Sequence, residues 1–392
     1  MVSNADKSKS FSFKQLLRDD RFWKIAFQVI VLAIVVGIIS YFLINLQANL
    51  ERQNIDFGFG FLSNPAGFSI GESALEYRPN DPYGKALLVG LVNTITLVIA
   101  GIILATITGV LAGVSSFSPN WLVHKISRAY VGLTRNVPLL LQLFFWYFAI
   151  YGALPLPEAQ INLGGFLVAS KRGVYLPWPQ GGGALAWLAV VIGIIVAAFL
   201  VWQWRTKVMV EQGGSGQTQL MILGGLAIAG LGIFFFALGW QAPEVQEGGG
   251  ATGGIRLSRE YVAALTALVF YTGAFIAEIV RAGIQSVSRG QWEAARSMGL
   301  KPGLVMRLVI FPQALRVIIP PLNSEFMNLA KNSSLAFAVA FPELYSVANT
   351  TFNQTGRPIE VFLVLMATYL IINLIITLGM NTLNQAVQFK ER

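Results

Sequence analysis

Four groups of polar side chains interrupt otherwise apolar stretches. Lys331 stands in NLAKNSSLAF and is followed by Asn332, Ser333 and Ser334; Glu278 precedes Arg281 by three residues in FIAEIVRAG. Asn93 begins NTIT, with Thr94 and Thr96, and Gln142 divides LLLQLFF. Charged and amide groups inside a membrane span are costly and mark pathways or helix contacts. Their chemistry is charge and hydrogen bonding toward a polar solute, without bond making. Each also has a plainer reading. Lys331 either meets a carboxylate or helix end in a pathway, with NSS satisfying an unwound turn, or snorkels or pairs with Glu325. Glu278 either faces a pathway or pairs locally with Arg281. Asn93, with its threonines, and Gln142 either line a pathway or bond across helices.

Other chemistries are excluded. The sequence has no cysteine, so it makes no disulfide or thiolate metal site. Its single histidine, His124, leaves no histidine pair for zinc. No G-x-x-x-x-G-K-[ST] occurs, and GFGFLS lacks the third glycine of a dinucleotide fingerprint. Catalytic and metal-ligating residues are therefore not expected.

A second constellation is SVSRGQWEAARSMGLKPG, a short polar segment between apolar ones. Ser288 and Gln291 have capping-box spacing. Gly299 suits a left-handed helix end, and Pro302 suits the first turn of the next helix. The pattern predicts an isolated helix over 289–298. Ala294 and Ala295 reduce one face to methyl groups, which permits close approach of another surface. So short a helix is not stable alone in water and needs a partner.

The elements around these residues are set by hydropathy. The 392 residues are 55% hydrophobic and 12% charged, with mean hydropathy +0.61, against about 25% charged in soluble domains. Apolar runs long enough to span a bilayer fall at about 25–46, 85–114, 137–153, 184–202, 220–240, 261–284, 313–341 and 359–383. The third is short and is extended by HKISRAYVGLTRN, with a break near Pro138; Pro320, Pro321 and Lys331 interrupt the seventh. With the N-terminus inside, 19 of the 28 Lys and Arg fall in the cytoplasm, 8 outside, and Lys331 within a span. Both termini are therefore expected inside. The net charge of +9 then reflects membrane topology and anionic lipid, not nucleic acid. Residues 1–84 and 154–259 read as additions to a tighter core. The second is a helical hairpin with the flanks PLPEAQ, PWPQGGG, EQGGSGQTQ and EGGGATGG, expected to be flexible connectors.

Several motifs carry a resemblance. EAA, three residues, Gly299, nine residues and VIFP ending at Pro312 resemble the EAA loop of ABC-importer permeases. VNTITLVIAGIILATITGVLAG, RNVPLLLQLFFWYF, FYTGAFIAEIVRAGIQSV and IIPPLNSEFMNLAKNSSLAFAVAFPEL resemble polar amino-acid permeases of the histidine, glutamine and general amino-acid type. These matches cover about 86–153 and 260–388, roughly half of the chain. The N-terminal helix and inserted hairpin are similar to the larger permeases of broad-specificity importers. One departure is RNVPLL, where the family more often has Arg-Gly-Thr-Pro. Asn136 and Val137 are bulkier, so no gating role is carried over to them.

The resemblance implies an all-α polytopic membrane protein of about eight transmembrane helices. A type I ABC-importer core of five, in 85–153 and 260–392, would carry the N-terminal segment 1–84 and the inserted hairpin 154–259. It implies a permease subunit of an ATP-driven amino-acid importer in the bacterial inner membrane. Coupling to the ATPase would run through Arg289, Trp292, Glu293, Ala294, Ala295, Met298, Gly299, Leu300 and Pro312. Implied partners are two ATP-binding subunits holding ATP and Mg, a second permease chain (identical or a paralogue), a periplasmic amino-acid-binding protein and membrane lipid. This chain itself would hold no cofactor. The alternative is an ion-coupled secondary transporter, which would want midplane carboxylates and inverted repeats.

Overall fold

A computed structural model describes residues 20–52, 57–73, 75–179, 184–211, 215–246 and 250–388. Lys7, Lys9, Lys14, Arg18, Lys390 and Arg392, which enter the orientation count, lie outside the described residues, as do portions of the glycine-rich flanks. The chain divides into two units, Met1–Phe61 and Leu62–Arg392. In the first unit, α1 (Asp20–Arg52) is apolar along its middle with charged residues at both ends, and holds a spanning stretch, Phe22–Asn49.

The second unit is a helical bundle. Its helices are α2 (Tyr83–Ser115), α3 (Trp121–Arg135), α4 (Leu139–Phe144), α5 (Ala184–Glu211) and α6 (Gln217–Gly232). These are followed by α7 (Arg259–Gln285), α8 (Arg289–Ser297), α9 (Pro302–Val305), α10 (Phe311–Asn332), α11 (Leu344–Thr355) and α12 (Pro358–Val387). Among the described residues seven helices are long and apolar enough to cross a membrane, or eight if the bent α3–α4 pair is one span. The eight agree with the hydropathic runs.

α2 and α7 pack along much of their lengths, and small residues are the reason. Gly101, Ala105, Gly109 and Gly113 recur every fourth residue, one stripe of a helix. Such stripes let membrane helices approach until their backbones nearly touch. A Cβ at Gly109 would lie 2.6 Å from Ile276, and one at Gly113 2.7 Å from Val280. Gly283 repeats the device between α7 and α10, where an added Cβ would run into Ile318.

The break at Pro138 is a bend of 109° between α3 and the helical segment 139–151. α3 starts sharply because Asn120 Oδ1 accepts from the Leu122 and Val123 amides at 2.9 and 3.3 Å. α5 and α6 pack on each other, and the protomer buries none of their spanning windows.

One expectation needs correction. The segments flanking the hairpin carry paired strands among the described residues, two of them within the expected connectors PWPQGGG and EGGGATGG. β1 (Ile161–Asn162), β2 (Val168–Ser170), β3 (Gly173–Leu176) and β8 (Ile255–Leu257) form one antiparallel sheet. β4 (Trp178–Pro179) pairs with β5 (Trp240–Gln241), and β6 (Glu244–Val245) with β7 (Ala251–Thr252). Glycines at positive φ, such as Gly164, Gly165 and Gly254, supply the turns. The structure also adds α11, a polar helix between spans. It is capped by Glu343, whose carboxylate accepts from the Tyr345 and Ser346 amides at 2.7 Å each.

Candidate coupling surface and translocation pathway

The short polar helix forms, and its C-terminus follows a Schellman pattern. The Gly299 amide donates to Arg296 O at 2.9 Å and the Leu300 amide to Ala295 O at 3.3 Å, with Gly299 at φ +76°. Pro302 then starts α9. The predicted capping box does not close: Ser288 is the N-cap residue but its side chain makes no cap bond. Gln291 Oε1 accepts from Gln313 Nε2 instead, at 3.3 Å, which draws the amide toward α10.

The two alanines have different surroundings. Consecutive helical residues lie about 100° apart, and here the step from Ala294 to Ala295 turns from solvent into the bundle. Ala295 is 2% exposed and belongs to the cluster of Val305, Ile310 and Ala314. It is therefore not an outward contact, contrary to expectation. Trp292 and Leu300 pack partly against the same cluster. Arg289, Glu293, Ala294 and Gly299 are exposed, and Met298 is 75% exposed. Beside them Gln291, Leu308, Pro312, Gln313 and Arg316 border a cavity of about 390 Å³.

Three of the pathway candidates are buried and satisfied within the protomer. Asn93, 3% exposed, donates through Nδ2 to Glu72 O at 2.8 Å and Pro342 O at 2.9 Å. It clamps the loop before α2 and the turn before α11 onto α2. Gln142, 9% exposed, donates to Thr134 O and Val137 O at 2.8 and 2.9 Å. A helix break at a proline leaves carbonyls without amides; Gln142 supplies the donor for Val137 O and adds a shorter bond to Thr134 O, which also accepts from the Val137 amide at 3.4 Å. Ser333 is buried and donates to Ala330 O at 2.7 Å.

The remaining candidates lie more openly. Ser334 donates to Lys331 O at 2.7 Å, and the chain here tightens into a 3₁₀ turn over Ser333–Val339 rather than unwinding. Asn332 borders a void of about 10 Å³, too small for a solute. Lys331 is exposed, and the expected alternative of a pair with Glu325 is not formed. It ends a stripe of exposed residues on α10 that includes Val317, Pro321, Ser324 and Asn328. The stripe is spaced every three or four residues, one face of the helix, and sequence reasoning missed Ser324 and Asn328.

Glu278 has the local partner expected of it. Arg281 Nε donates to Glu278 Oε2 at 3.1 Å, and Arg135 Nη1 stands 3.8 Å from the same oxygen. Arg135 also lies over the Phe275 ring, 5.1 Å from its centroid. At the opposite end of the bundle, Glu72, Arg256, Ser258, Glu260 and Ser346 line another cavity of about 390 Å³. Burial pushes the Glu72 carboxyl above its usual range, partly offset by hydrogen bonds from Ser258.

Comparison with known proteins accords with these elements. Residues 257–389, from the start of α7 to the end of α12, match the family described as "Binding-protein-dependent transport system inner membrane component". The chain is 41% identical over 371 residues to the putative amino-acid ABC transporter permease protein YhdX of Escherichia coli, covering 93% of this chain and 94% of that one. It is 39% identical over 390 residues to the general L-amino acid transport system permease protein AapQ of Rhizobium johnstonii, covering 97% and 96%. With the glutamate/glutamine/aspartate/asparagine transport system permease protein BztB of Rhodobacter capsulatus, identity is 38% over 433 residues and coverage is complete for both chains. An exposed capped helix between two spans, within a chain related along nearly its whole length to these proteins, places it: the chain belongs to the family of amino-acid ABC transporter permeases.

Proposed function

We propose that the chain is the membrane-spanning permease subunit of an importer that moves amino acids into a bacterial cell at the expense of ATP. Two ATP-binding subunits would hold the nucleotide and Mg, and a periplasmic binding protein would deliver the amino acid. The chain itself performs no covalent chemistry. The observation that carries this reading is α8, a nine-residue helix whose outer face of Glu293, Ala294 and Met298 is exposed while Ala295 and Trp292 root it in its own bundle. A helix rooted in this way transmits a pull. It is joined to α7 on one side and, through α9, to α10 on the other. Closure of the ATPases would shift these two spans together between inward- and outward-open states, a two-state transition driven from a distant site.

Both termini are assigned to the cytoplasm, the side on which α8 must meet the ATPase. The polar stripe on α10 supports a second permease chain, identical or a paralogue, because Ser324, Asn328 and Lys331 are poorly suited to lipid. A pathway between two such chains would present Lys331 to the substrate. Ion coupling draws no support from Glu278, which two arginines hold.

The test is uptake by proteoliposomes containing the complete complex, with ATP enclosed and binding protein and labelled amino acid outside. ATP-dependent accumulation is expected. Accumulation that ignores ATP and follows an imposed proton or sodium gradient would overturn the reading.

A further inference from the structure

At the α8 end of the bundle, α2, α3 and α7 border an open cavity of about 440 Å³ whose charges do not balance. Arg128, Arg135 and Arg281 line it together with one carboxylate, Glu278. Arg281 takes that carboxylate through two of its nitrogens and uses a third toward Gln285 at 3.2 Å. Arg135 is only loosely paired with Glu278, at 3.8 Å. Arg128 makes no ion pair among the described residues. Arg128 and Arg135 are exposed at this end of the bundle, so with three guanidiniums facing one carboxylate two remain without a matching negative charge. Guanidinium pairs with carboxylate in a planar fork.

We infer that this cavity holds the carboxylates of an amino acid on the α8 side of the membrane, and that it favours dicarboxylic over neutral amino acids. The inference rests on the amino-acid import reading above. A neutral amino acid offers one carboxylate for two available guanidiniums, whereas a dicarboxylic one offers a carboxylate to each. Glu278 retains acceptor capacity for the ammonium group, and Ser116 and Asn136 add polar lining. The volume lies in the range of small-molecule pockets.

A lipid headgroup would bring an oxyanion too, but the geometry is against it. An apolar groove fit for an acyl chain does exist nearby, lined by Leu111, Val123, Ile126, Tyr130 and Phe270. At about 100° per residue, positions 123, 126 and 130 fall on one flank of α3, and positions 128, 132 and 135 on the other. Between the flanks Ser127 Oγ donates to Ala112 O at 2.6 Å, closing α3 onto α2. A phosphate in the arginine cavity would therefore leave its acyl chains without the groove.

The experiment uses the complete transporter in nanodiscs of phosphatidylcholine, without nucleotide or binding protein, and measures equilibrium binding of labelled glutamate and labelled leucine. Glutamate is expected to bind about tenfold tighter than leucine. Arg128→Gln should weaken glutamate about tenfold, as expected for a lost charge-assisted bond, and leucine by less than about threefold. Arg128→Lys should restore most of the glutamate affinity. Equal binding of the two amino acids, or glutamate binding indifferent to Arg128→Gln, would overturn the inference. So would phosphatidylglycerol that copurifies with the wild type and is lost only in Arg128→Gln, with glutamate binding unchanged. ATP-driven uptake measured on the same preparation separates the two readings. Uptake without the expected binding sinks this inference alone, whereas absence of uptake of any amino acid sinks the import reading.

Discussion

Gly109→Ala should loosen the contact on which the bundle is built. The new methyl carbon would lie 2.6 Å from Cβ and Cγ2 of Ile276 and 2.8 Å from the Gly273 carbonyl oxygen. Carbon atoms pack at about 3.5–4.0 Å, so α2 and α7 must separate by about 1 Å. Two of the three obstacles cannot rotate away: Ile276 Cβ is fixed to its backbone, and the carbonyl belongs to the helix. Overpacking of this kind costs about 1–3 kcal/mol, against which alanine gains at most about 1 kcal/mol of helix propensity over glycine. The net expectation is a loss of about 1–2 kcal/mol. Gly379→Ala on α12 is the matched control, because nothing lies within 4 Å of its Cβ position; that variant should be neutral or slightly more stable. Thermal unfolding of the purified complex, followed by tryptophan fluorescence at one scan rate, reads both. Equal shifts for the two variants would refute the close approach of α2 and α7.

Other expectations concern the clamps, the loop and the insert. Gln142→Leu should strand the Val137 carbonyl at the α3–α4 bend and leave Thr134 O only its backbone donor, lowering stability by about 1–3 kcal/mol in the same melting assay; an unchanged midpoint would mean the bend needs no side-chain donor. The raised carboxyl of Glu72 binds its proton more tightly in the folded state. The stability it contributes is therefore full below the unfolded-state pKa and is lost as pH rises through the raised value. Glu72→Gln, always neutral, should flatten the fall in melting temperature between the unfolded-state pKa and the raised value; an unaltered pH profile would contradict this. Removal of residues 181–238, joined by a short turn, should leave ATPase co-purification and ATP-dependent uptake intact, since Pro179 already pairs with Trp240. Loss of ATPase assembly would show the hairpin to be central.

The spans were legible because each needs about twenty consecutive apolar residues, a signal that depends on no distant region of the chain. The cap at Gly299 was legible for the same reason, since its bonds close within five residues. The strands were not: β3 at 173–176 pairs with β8 at 255–257, and glycine-rich text around them reads as linker when its partner lies some eighty residues away. α11 was hidden by its polarity, as LYSVANTTFNQT is neither long nor apolar enough to suggest a span. Residue type drew attention to Asn93 and Gln142 but could not name their partners, which are backbone carbonyls and leave no mark in side-chain patterns. The arginine cavity was missed because Arg128 and Arg135 read as ordinary cytoplasmic charges. Packing of α3 against α2 and α7 turns them toward Glu278.

Contact between α8 and an ATPase is tested most directly by crosslinking. The sequence contains no cysteine, so single cysteines report without background. In the complete, transport-competent complex, cysteines replacing Ala294 and Met298 should crosslink to a reactive site on the ATPase, and one replacing the buried Ala295 should not. Failure of both outward positions, or crosslinking at Ala295 as strong as at Met298, would contradict the account.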